Sequence, residues 1–301
     1  MLQNPDERNQ DILININGEL LPRAEAGISP FDSLAQGGDG VWEGLRVYEG
    51  RIFKLEEHLN RLISSAKALA FKEIPSREEI LKQICRTLQA NGMHDGVHIR
   101  LTLSRGVKIT SGMDPRLNQS GPTLIVLAEW KAPVYDKAGL CLITSSVRRF
   151  PPDCLDPNIH HNNLIQSILA KLEANHAGAD DAILLDKQGF VAETNATHIF
   201  AVEKGVVQTP TTRACPEGVT RAAILELCAE NDIPCEVTDL SLTNFYRAEE
   251  VFTTGTMGEL AGVIEIDGRI VGDGKAPGRM TKRLSELFRK LTEKSGYVVS
   301  G

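Results

Sequence analysis

The chain has 301 residues, of which 42% are apolar and 24% charged, and its formal net charge at pH 7 is −7. This composition is ordinary for a globular enzyme, and the length favours two domains over one. The basic residues form no stripe, which argues against a nucleic-acid partner. The apolar runs are too short to span a membrane, and the polar N-terminus MLQNPDERNQD has no apolar signal-peptide core.

The cysteines predict a reducing compartment. None of the six belongs to a C-x-x-C pair, and several lie inside apolar patterns. They are Cys85, Cys141, Cys154, Cys215, Cys228 and Cys235. We therefore expect reduced, mostly buried thiols in a cytoplasmic protein.

The first half of the chain predicts a mixture of strands and helices. A hairpin is expected around Asn17-Gly18, and apolar residues at helical spacing predict a helix over 54–69. A capping box of Ser76 and Glu79, with Asn91-Gly92 at the other end, predicts a second helix. The strict alternation of 97–105 predicts a half-buried strand, and a continuous apolar run predicts another strand over 123–130. A segment without apolar periodicity follows, so we predict a small N-terminal domain (1–130), a linker (131–139) and a larger domain (140–301).

The second half is organised around the stretch from Leu155 to Ala201, which predicts a polar loop, an amphipathic helix, a strand, a tight turn and a second strand. The loop carries the adjacent pair His160 and His161. Two adjacent histidines chelate a metal poorly without a third ligand, and no H-E-x-x-H motif or Cys/His cluster accompanies them, so no metal site is predicted. A polar loop pair is the simpler interpretation.

A second candidate site is the helix start at Gly218-Val219-Thr220. Free backbone N–H groups and the positive end of a helix dipole favour an anion there. Thr254-Gly255-Thr256 could add a hydroxyl, and Arg61 a full positive charge, to form a phosphate cup. The alternative is that Thr220 only caps the helix and that Arg61 is a solvated helix residue.

Glu193 follows an apolar strand and precedes a run of small polar residues. A carboxylate at the end of a buried strand needs a partner, which could be a protonated ring nitrogen of a cofactor. The alternative is a surface or salt-bridged glutamate.

An aromatic wall and several positive charges could bind a small substrate with a carboxylate. The candidates are Trp42, Arg46, Arg100 and Arg105. Arginine binds carboxylates in a bidentate manner, although for any single arginine an ion pair with an acidic residue of the protein is the competing explanation.

Motifs of other enzyme classes are absent. The chain has no G-x-G-x-x-G, no Walker loop and no G-x-S-x-G. Dinucleotide-binding folds, nucleotide hydrolases and α/β-hydrolases therefore lack support.

Five ordered blocks of the sequence resemble the class IV aminotransferases, the fold-type IV family of pyridoxal-phosphate enzymes. The blocks are GDGVWEGLRVYEGRIFKLEEHLNRL, the helix ending in LAKLEA, AETNATHIF, PEGVTR and VFTTGTMGEL, and the resemblance covers roughly residues 12–293. The family includes branched-chain and D-amino-acid aminotransferases and aminodeoxychorismate lyase. The resemblance implies a two-domain α/β (α+β) fold with a small N-terminal α/β domain, a larger C-terminal domain with a β-barrel-like core, and pyridoxal phosphate between them in a homodimer.

The resemblance also implies residue roles. Arg61, Val219, Thr220 and Thr256 would bind the cofactor phosphate, and Glu193 would keep the pyridine nitrogen protonated. Trp42 would line the substrate pocket. Arg105, in a Ser-Arg-Gly, resembles the carboxylate-binding position of the D-amino-acid branch, whereas Arg46 and its surroundings resemble the branched-chain branch.

The chain departs from the family pattern at His160. Relatives carry the Schiff-base lysine in a pattern like Ile-Lys-x-x-Asn, and aligning Asn163 and LAKLEA places that lysine at position 160. Histidine cannot form the imine, although it can move a proton. A natural lysine-less relative, an engineered replacement or a shifted alignment would explain the difference. The last is weak, because no lysine lies between Gly139 and Lys171, which belongs to the following helix.

The resemblance therefore implies transfer of an amino group between an amino acid, of branched-chain or D-amino-acid type, and a 2-oxo acid. His160 would impair or alter this reaction and leave pyridoxal or pyridoxamine phosphate bound without a covalent bond. Two alternatives stay open: an aminodeoxychorismate-type lyase, and a non-catalytic protein that binds the cofactor, which His160 favours.

Overall fold

The computed structural model describes residues 5–133 and 139–299, which form two compact units. The N-terminal unit contains residues 5–132, 159–163 and 292–299, and the C-terminal unit contains residues 133, 139–158 and 164–291. Residues 134–138 of the predicted linker lie outside the described residues. The structure thus adds two segments to the N-terminal unit that the sequence had assigned to the larger domain.

The N-terminal unit is built on a seven-stranded antiparallel sheet. Its strands are β1 (Leu13–Ile16), β2 (Glu19–Pro22), β3 (Gly40–Tyr48), β4 (Arg51–Ile52), β5 (Val97–Ser104), β6 (Thr123–Trp130) and the C-terminal β16 (Tyr297–Val298). The strand order is β16-β4-β3-β5-β6-β1-β2. The predicted hairpin is confirmed, since β1 and β2 pair across Asn17-Gly18.

Three helices belong to this unit: α1 (Ser33–Gly37), α2 (Leu55–Ala68) and α3 (Arg77–Ala90), with short 3-10 turns at Glu7–Gln10 and Pro115–Leu117. The 3–4 spacing of apolar residues gives α2 one buried face, which includes Leu55, Leu59 and Leu62. Ser76 and Glu79 form the capping box expected at the start of α3. The helices α2 and α3 and the sheet enclose the apolar core of the unit.

The C-terminal unit is built on a nine-stranded mixed sheet. Its strands are β7 (Leu140–Arg148), β8 (Asp181–Leu185), β9 (Val191–Thr194), β10 (His198–Glu203), β11 (Val206–Thr209), β12 (Cys235–Val237), β13 (Glu250–Gly255), β14 (Glu259–Ile266) and β15 (Arg269–Ile270). The order is β12-β11-β10-β13-β14-β7-β8-β9, with β15 on β14. A tight turn closed by a Thr194–Thr197 backbone bond joins the end strand β9 to the inner strand β10, so the sheet curls on itself.

The helices of this unit are α4 (Ile165–His176), α5 (Val219–Glu230), α6 (Leu242–Tyr246) and most of α7 (Arg279–Lys294), with a 3-10 turn at Thr212–Ala214. Ala170 and Ala174 of α4 pack with β8 residues in a small apolar cluster. The opposite face of α4 is apolar but exposed. The predicted mixed α/β fold with a curled sheet in the larger domain is confirmed.

Two sequence expectations need correction. The strand β5 is not half-buried: His98, Thr102 and Ser104 on its polar face are buried too, and Ser104 donates a hydrogen bond to buried Asp32. The cysteines are not mostly buried, since only Cys215 and Cys228 are, although none of the six forms a disulfide.

Among the described residues, no helix combines the length and the apolar character required to cross a membrane.

Candidate functional site

A buried carboxylate lies in the middle of the N-terminal unit. Glu43 occupies a core-facing position of β3 and is 0% exposed. Arg61 of α2 donates to both of its oxygens, from Nε to Oε1 and from Nη2 to Oε2, each at 2.7 Å. His58 Nδ1 lies 2.6 Å from Oε2, and His160 Nδ1 lies 3.3 Å from Oε1. We call these four residues the Glu43 cluster.

The charges around Glu43 keep it ionised. Burial by itself would raise the pKa of this carboxyl, but the charge of Arg61 and the hydrogen bonds from Arg61 and His160 hold it well below its usual value. The two bonds to Arg61 use two of the five N–H donors of the guanidinium. The cluster therefore holds Arg61 in one orientation.

The polar loop that the sequence singled out is attached to β3. Trp42 N donates to His160 O at 3.0 Å, and Asn162 N donates to Gly40 O at 2.9 Å. The His160 ring stacks on the Trp42 ring, with 4.4 Å between centroids and 26° between planes. These backbone bonds explain why residues 159–163 belong to the N-terminal unit.

The structure brings several of the predicted site residues together here. The Arg100 guanidinium lies 3.4 Å from the centroid of the Trp42 ring. Burial lowers the pKa of Arg100 to about 10, against the charge of Glu43, so the side chain stays protonated at neutral pH. One continuous set of contacts therefore joins Arg100, Trp42 and His160, and Glu43 extends it to Arg61.

Two other predicted arginines lie elsewhere in the unit. Arg46 is buried and donates from Nη2 to Lys131 O at 3.0 Å, with its guanidinium 5.6 Å from the centre of the Tyr48 ring. Arg105 makes a bidentate pair with Asp39 at 2.6 and 3.1 Å. The expected role of both in binding a substrate carboxylate stays a prediction.

The C-terminal unit has its own buried carboxylate. Glu193, on β9, lies 3.0 Å from Arg149 Nη2, which agrees with the salt-bridged alternative considered for it. His198 Nδ1 on β10 is 4.0 Å from Cys215 Sγ, and donor atoms of Glu193, His198 and Cys215 all lie within 4.8 Å of one another. Burial, and then the charge of Glu193, raise the pKa of the Cys215 thiol, so it stays protonated. We call Arg149, Glu193, His198 and Cys215 the Glu193 cluster.

A potential anion site lies in the same unit. The N-cap residue of α5 is Gly218, which has no side chain to cap the helix. The helix therefore begins at Val219 and Thr220 without a capping side chain. An ideal Cβ on Gly218 would come within 2.2 Å of the His198 ring, so α5 begins against β10. The residue paired with His198 on β13, Thr254, has a buried hydroxyl without a hydrogen-bond partner in the part of the chain that the structure describes. Thr256 lies in the turn after β13.

The sequence model of the family described as amino-transferase class IV matches residues 40–266. The chain belongs to the class IV aminotransferase family. The match spans β3 with Glu43, α2 with Arg61, the His160 loop, Glu193 and the start of α5.

Individual relatives agree with the family. Branched-chain-amino-acid aminotransferase-like protein 1 of Arabidopsis thaliana is 56% identical over 98% of this chain, but the chain spans only 53% of that protein. D-alanine aminotransferase of Bacillus licheniformis is 31% identical, over 91% of this chain and 94% of the relative. Among solved structures, the T.th. branched-chain amino acid aminotransferase complexed with N-(5'-phosphopyridoxyl)-L-glutamate has a TM-score of 0.86 and 35% identity, with 94% of each chain covered.

Sequence reasoning missed Glu43, His58 and Arg149. A signal for Glu43 existed, because it interrupts the apolar alternation of Val41, Leu45 and Val47, so a charge had to enter the core. His58 lies one turn before Leu62 on the buried face of α2. Arg149 had no such signal, because it lies after β7 in an irregular segment where no periodicity applies.

Proposed function

We propose that this chain uses pyridoxal or pyridoxamine phosphate to move an amino group between a branched-chain amino acid and a 2-oxo acid. The single observation that carries the proposal is the buried Glu193 carboxylate on β9, within the segment that matches the family. The cofactor stays non-covalent in this proposal, and transfer is impaired, because His160 stands where the resemblance implies the Schiff-base lysine.

The residues of the C-terminal unit fit such a cofactor. The Glu193 carboxylate, which lies 3.0 Å from Arg149 Nη2, is the type of group that suits a protonated ring nitrogen. The uncapped start of α5 and the unpartnered hydroxyl of Thr254 suit a phosphate. When bound, the cofactor supplies a ring that accepts the electron pair of a broken substrate bond. Val219, Thr220 and Thr256 would hold the phosphate together with Arg61.

The loop that contains His160 has no primary amine to which the cofactor could be attached covalently. The nearest lysine after His160 is Lys171, which lies on α4 and is engaged with Asp180 O and, at 3.3 Å, with Asp181. A histidine at position 160 offers no primary amine. The chain therefore keeps groups that can bind the cofactor and lacks the group that would attach it there.

The relatives support the substrate class. The Arabidopsis relative and the T.th. structure are both named for branched-chain amino acids, at 56% and 35% identity, against 31% for the D-alanine enzyme. The lyase and the non-catalytic binding protein are not favoured by these relatives. We therefore propose branched-chain substrates, with Trp42 and Arg100 at the substrate side of the site.

We also propose that the chain forms a dimer and that it lies in the cytoplasm. A dimer would cover the exposed apolar face of α4, which includes Ile165, Ile168, Leu169 and Leu172. The six free cysteines support a reducing, cytoplasmic location. Light scattering of the purified chain tests the dimer, which a monomer at micromolar concentration would contradict.

The decisive experiment compares the wild type with His160→Lys. We expect the wild type to bind pyridoxal phosphate reversibly, without a borohydride-reducible bond. His160→Lys should gain a reducible covalent bond and raise transfer from leucine to 2-oxoglutarate by about 10²-fold or more. Absorbance spectra before and after borohydride, and dialysis, provide the measurements.

A matched control is His161→Lys, which places an amine on the neighbouring loop residue and should gain neither property. The proposal fails if folded, cofactor-binding His160→Lys shows no covalent bond and no transfer. It also fails if the wild type does not bind either form of the cofactor.

A further inference from the structure

The hydrogen bonds of His160 determine which ring nitrogen carries its proton. Nδ1 lies 2.5 Å from Trp42 O and 3.3 Å from the Glu43 carboxylate. A carbonyl and a carboxylate only accept hydrogen bonds, so Nδ1 must be the donor. In the neutral ring the lone pair is therefore on Nε2.

The orientation of the ring is also fixed. The backbone N–H of His160 donates to Ser65 Oγ at 3.0 Å, and its carbonyl accepts from Trp42 N at 3.0 Å. The ring stacks on Trp42, whose other ring contact is the Arg100 guanidinium. A histidine held by its backbone, its Nδ1 and one ring face keeps Nε2 in one direction.

The surrounding charges decide the protonation state. Burial lowers the pKa of His160, the positive charge of Arg61 lowers it further, and Glu43 opposes both. The groups facing this region are Glu43 from β3, His58 and Arg61 from α2, and Arg100 from β5 through Trp42. Glu43 is already paired with Arg61, so His160 stays neutral at pH 7, which is the form that a base requires.

We propose that His160 is the proton-transferring base of the site through Nε2, and that Glu43 is the positioning residue that keeps the proton on Nδ1. The inference rests on the proposed function. In the step, a Cα–H bond of the amino acid breaks, the proton forms an N–H bond at Nε2, and the electron pair stays on the substrate carbon, where a bound cofactor would supply a ring that spreads the charge. The imidazolium would then return the proton to the substrate. Glu43 stabilises the transient positive charge.

The first test needs no cofactor. Nitrogen-15 NMR of histidine-labelled protein, with His160→Gln to assign the signals, should show a neutral His160 ring with the proton on Nδ1 at pH 7. A ring protonated on Nε2 alone, or an imidazolium at pH 7, overturns the inference.

The second test measures the role of Glu43. Removing its negative charge should lower the pKa of His160, so Glu43→Gln should move the NMR titration of His160 to lower pH. If Glu43 were only structural, the titration of a folded variant would not move, and that result overturns the positioning role. Glu43→Asp keeps the negative charge, so His160 should titrate in this variant at nearly the wild-type pH. If Glu43→Gln does not fold, Glu43→Asp tests the role of the charge in its place.

The third test measures proton transfer itself. With pyridoxal phosphate present, the α-proton of leucine should exchange with deuterated solvent, and His160→Gln should slow this by about 10²-fold or more. His161→Gln is the matched control and should exchange at the wild-type rate. Because the base must be neutral, the rate should fall as pH drops through the pKa of His160.

The outcomes separate the inference from the proposed function. If dialysis shows no cofactor binding, the proposed function fails. If the cofactor binds and leucine exchanges at the same rate in His160→Gln, only the role of His160 as base fails.

Discussion

At the residue scale, Glu43 shows how a charge enters the core of a strand. It takes the position between Val41 and Leu45 on β3, and its oxygens are bonded by Arg61, His58 and His160. Removing one partner from a buried ion pair typically costs about 3–5 kcal/mol, because the other charge stays buried. Arg61 is therefore tied to the stability of this unit as well as to its expected role with phosphate.

His98 is a second buried ionisable group, and it makes stability depend on pH. Burial, with the charges of Lys131, Arg46, Arg100 and His58, lowers its pKa from 6.5 to about 3. The unfolded chain binds a proton below pH 6.5 that the folded chain does not, so stability falls as pH drops towards 3. We expect His98 alone to lower the free energy of unfolding by about 2 kcal/mol at pH 5 relative to pH 7.

Urea denaturation of the wild type and His98→Gln at both pH values measures this contribution. The variant should lose about that much less stability on acidification. Equal losses in the two proteins would show that His98 is not the responsible group.

At the element scale, Arg105 joins the end of β5 to the end of α2. Besides its pair with Asp39, it donates to Leu69 O at 2.7 Å and Ala70 O at 3.2 Å, and its guanidinium lies 4.5 Å from the centre of the Phe71 ring. A lysine cannot reproduce this fork of donors. These contacts favour a structural role over the substrate-carboxylate role that the Ser-Arg-Gly pattern implies.

We expect Arg105→Lys to lower the free energy of unfolding by about 1–3 kcal/mol, and Asp39→Asn to cause a similar loss. The Michaelis constant for leucine, measured in the His160→Lys background, should stay within about twofold of that background, because an interaction confined to the protein changes no substrate binding. A large rise in this constant at unchanged stability would instead support the carboxylate-binding prediction.

The start of α5 depends on a residue without a side chain. Gly218 has a φ of −72°, which any residue adopts, but an ideal Cβ there would lie 2.2 Å from the His198 ring. We expect Gly218→Ala to cost about 1–3 kcal/mol through this overlap. In a double-mutant cycle by urea denaturation, His198→Asn should recover part of the loss. Additive losses would contradict the contact.

At the scale of the whole molecule, the chain returns to its N-terminal unit at the end. β16 pairs with β4, and Val299 N donates to Gly50 O at 2.9 Å. A chain ending at Lys294 loses these bonds, so we expect it to lose about 1–2 kcal/mol of stability. Hydrogen exchange should show faster exchange at β4 than in the wild type. Unchanged exchange there would mean that β16 does not protect this edge.

Much of the local structure could be predicted from sequence. Apolar periodicity located α2 and β5, because a helix face or strand face that packs on a core must repeat every 3.6 or 2 residues. A continuous apolar run located β6. Ser76 and Glu79 marked the start of α3 through groups that must be satisfied at a helix end. Periodicity could not show that both faces of β5 are covered, since that depends on residues distant in sequence, such as Asp32, which accepts a hydrogen bond from Ser104.

The sequence by itself determined the family, the order of elements and the identity of the residue at position 160, because these depend on residues close together in the chain. Only the tertiary structure decided that residues 159–163 join the N-terminal unit, that Glu43 holds Arg61, and that Glu193 pairs with Arg149. These contacts join residues far apart in sequence, and they form because a buried charge or a buried backbone polar group needs a partner. The contacts of the Glu43 cluster also give Nδ1 of His160 an acceptor, which leaves Nε2 as the ring nitrogen that can accept a proton.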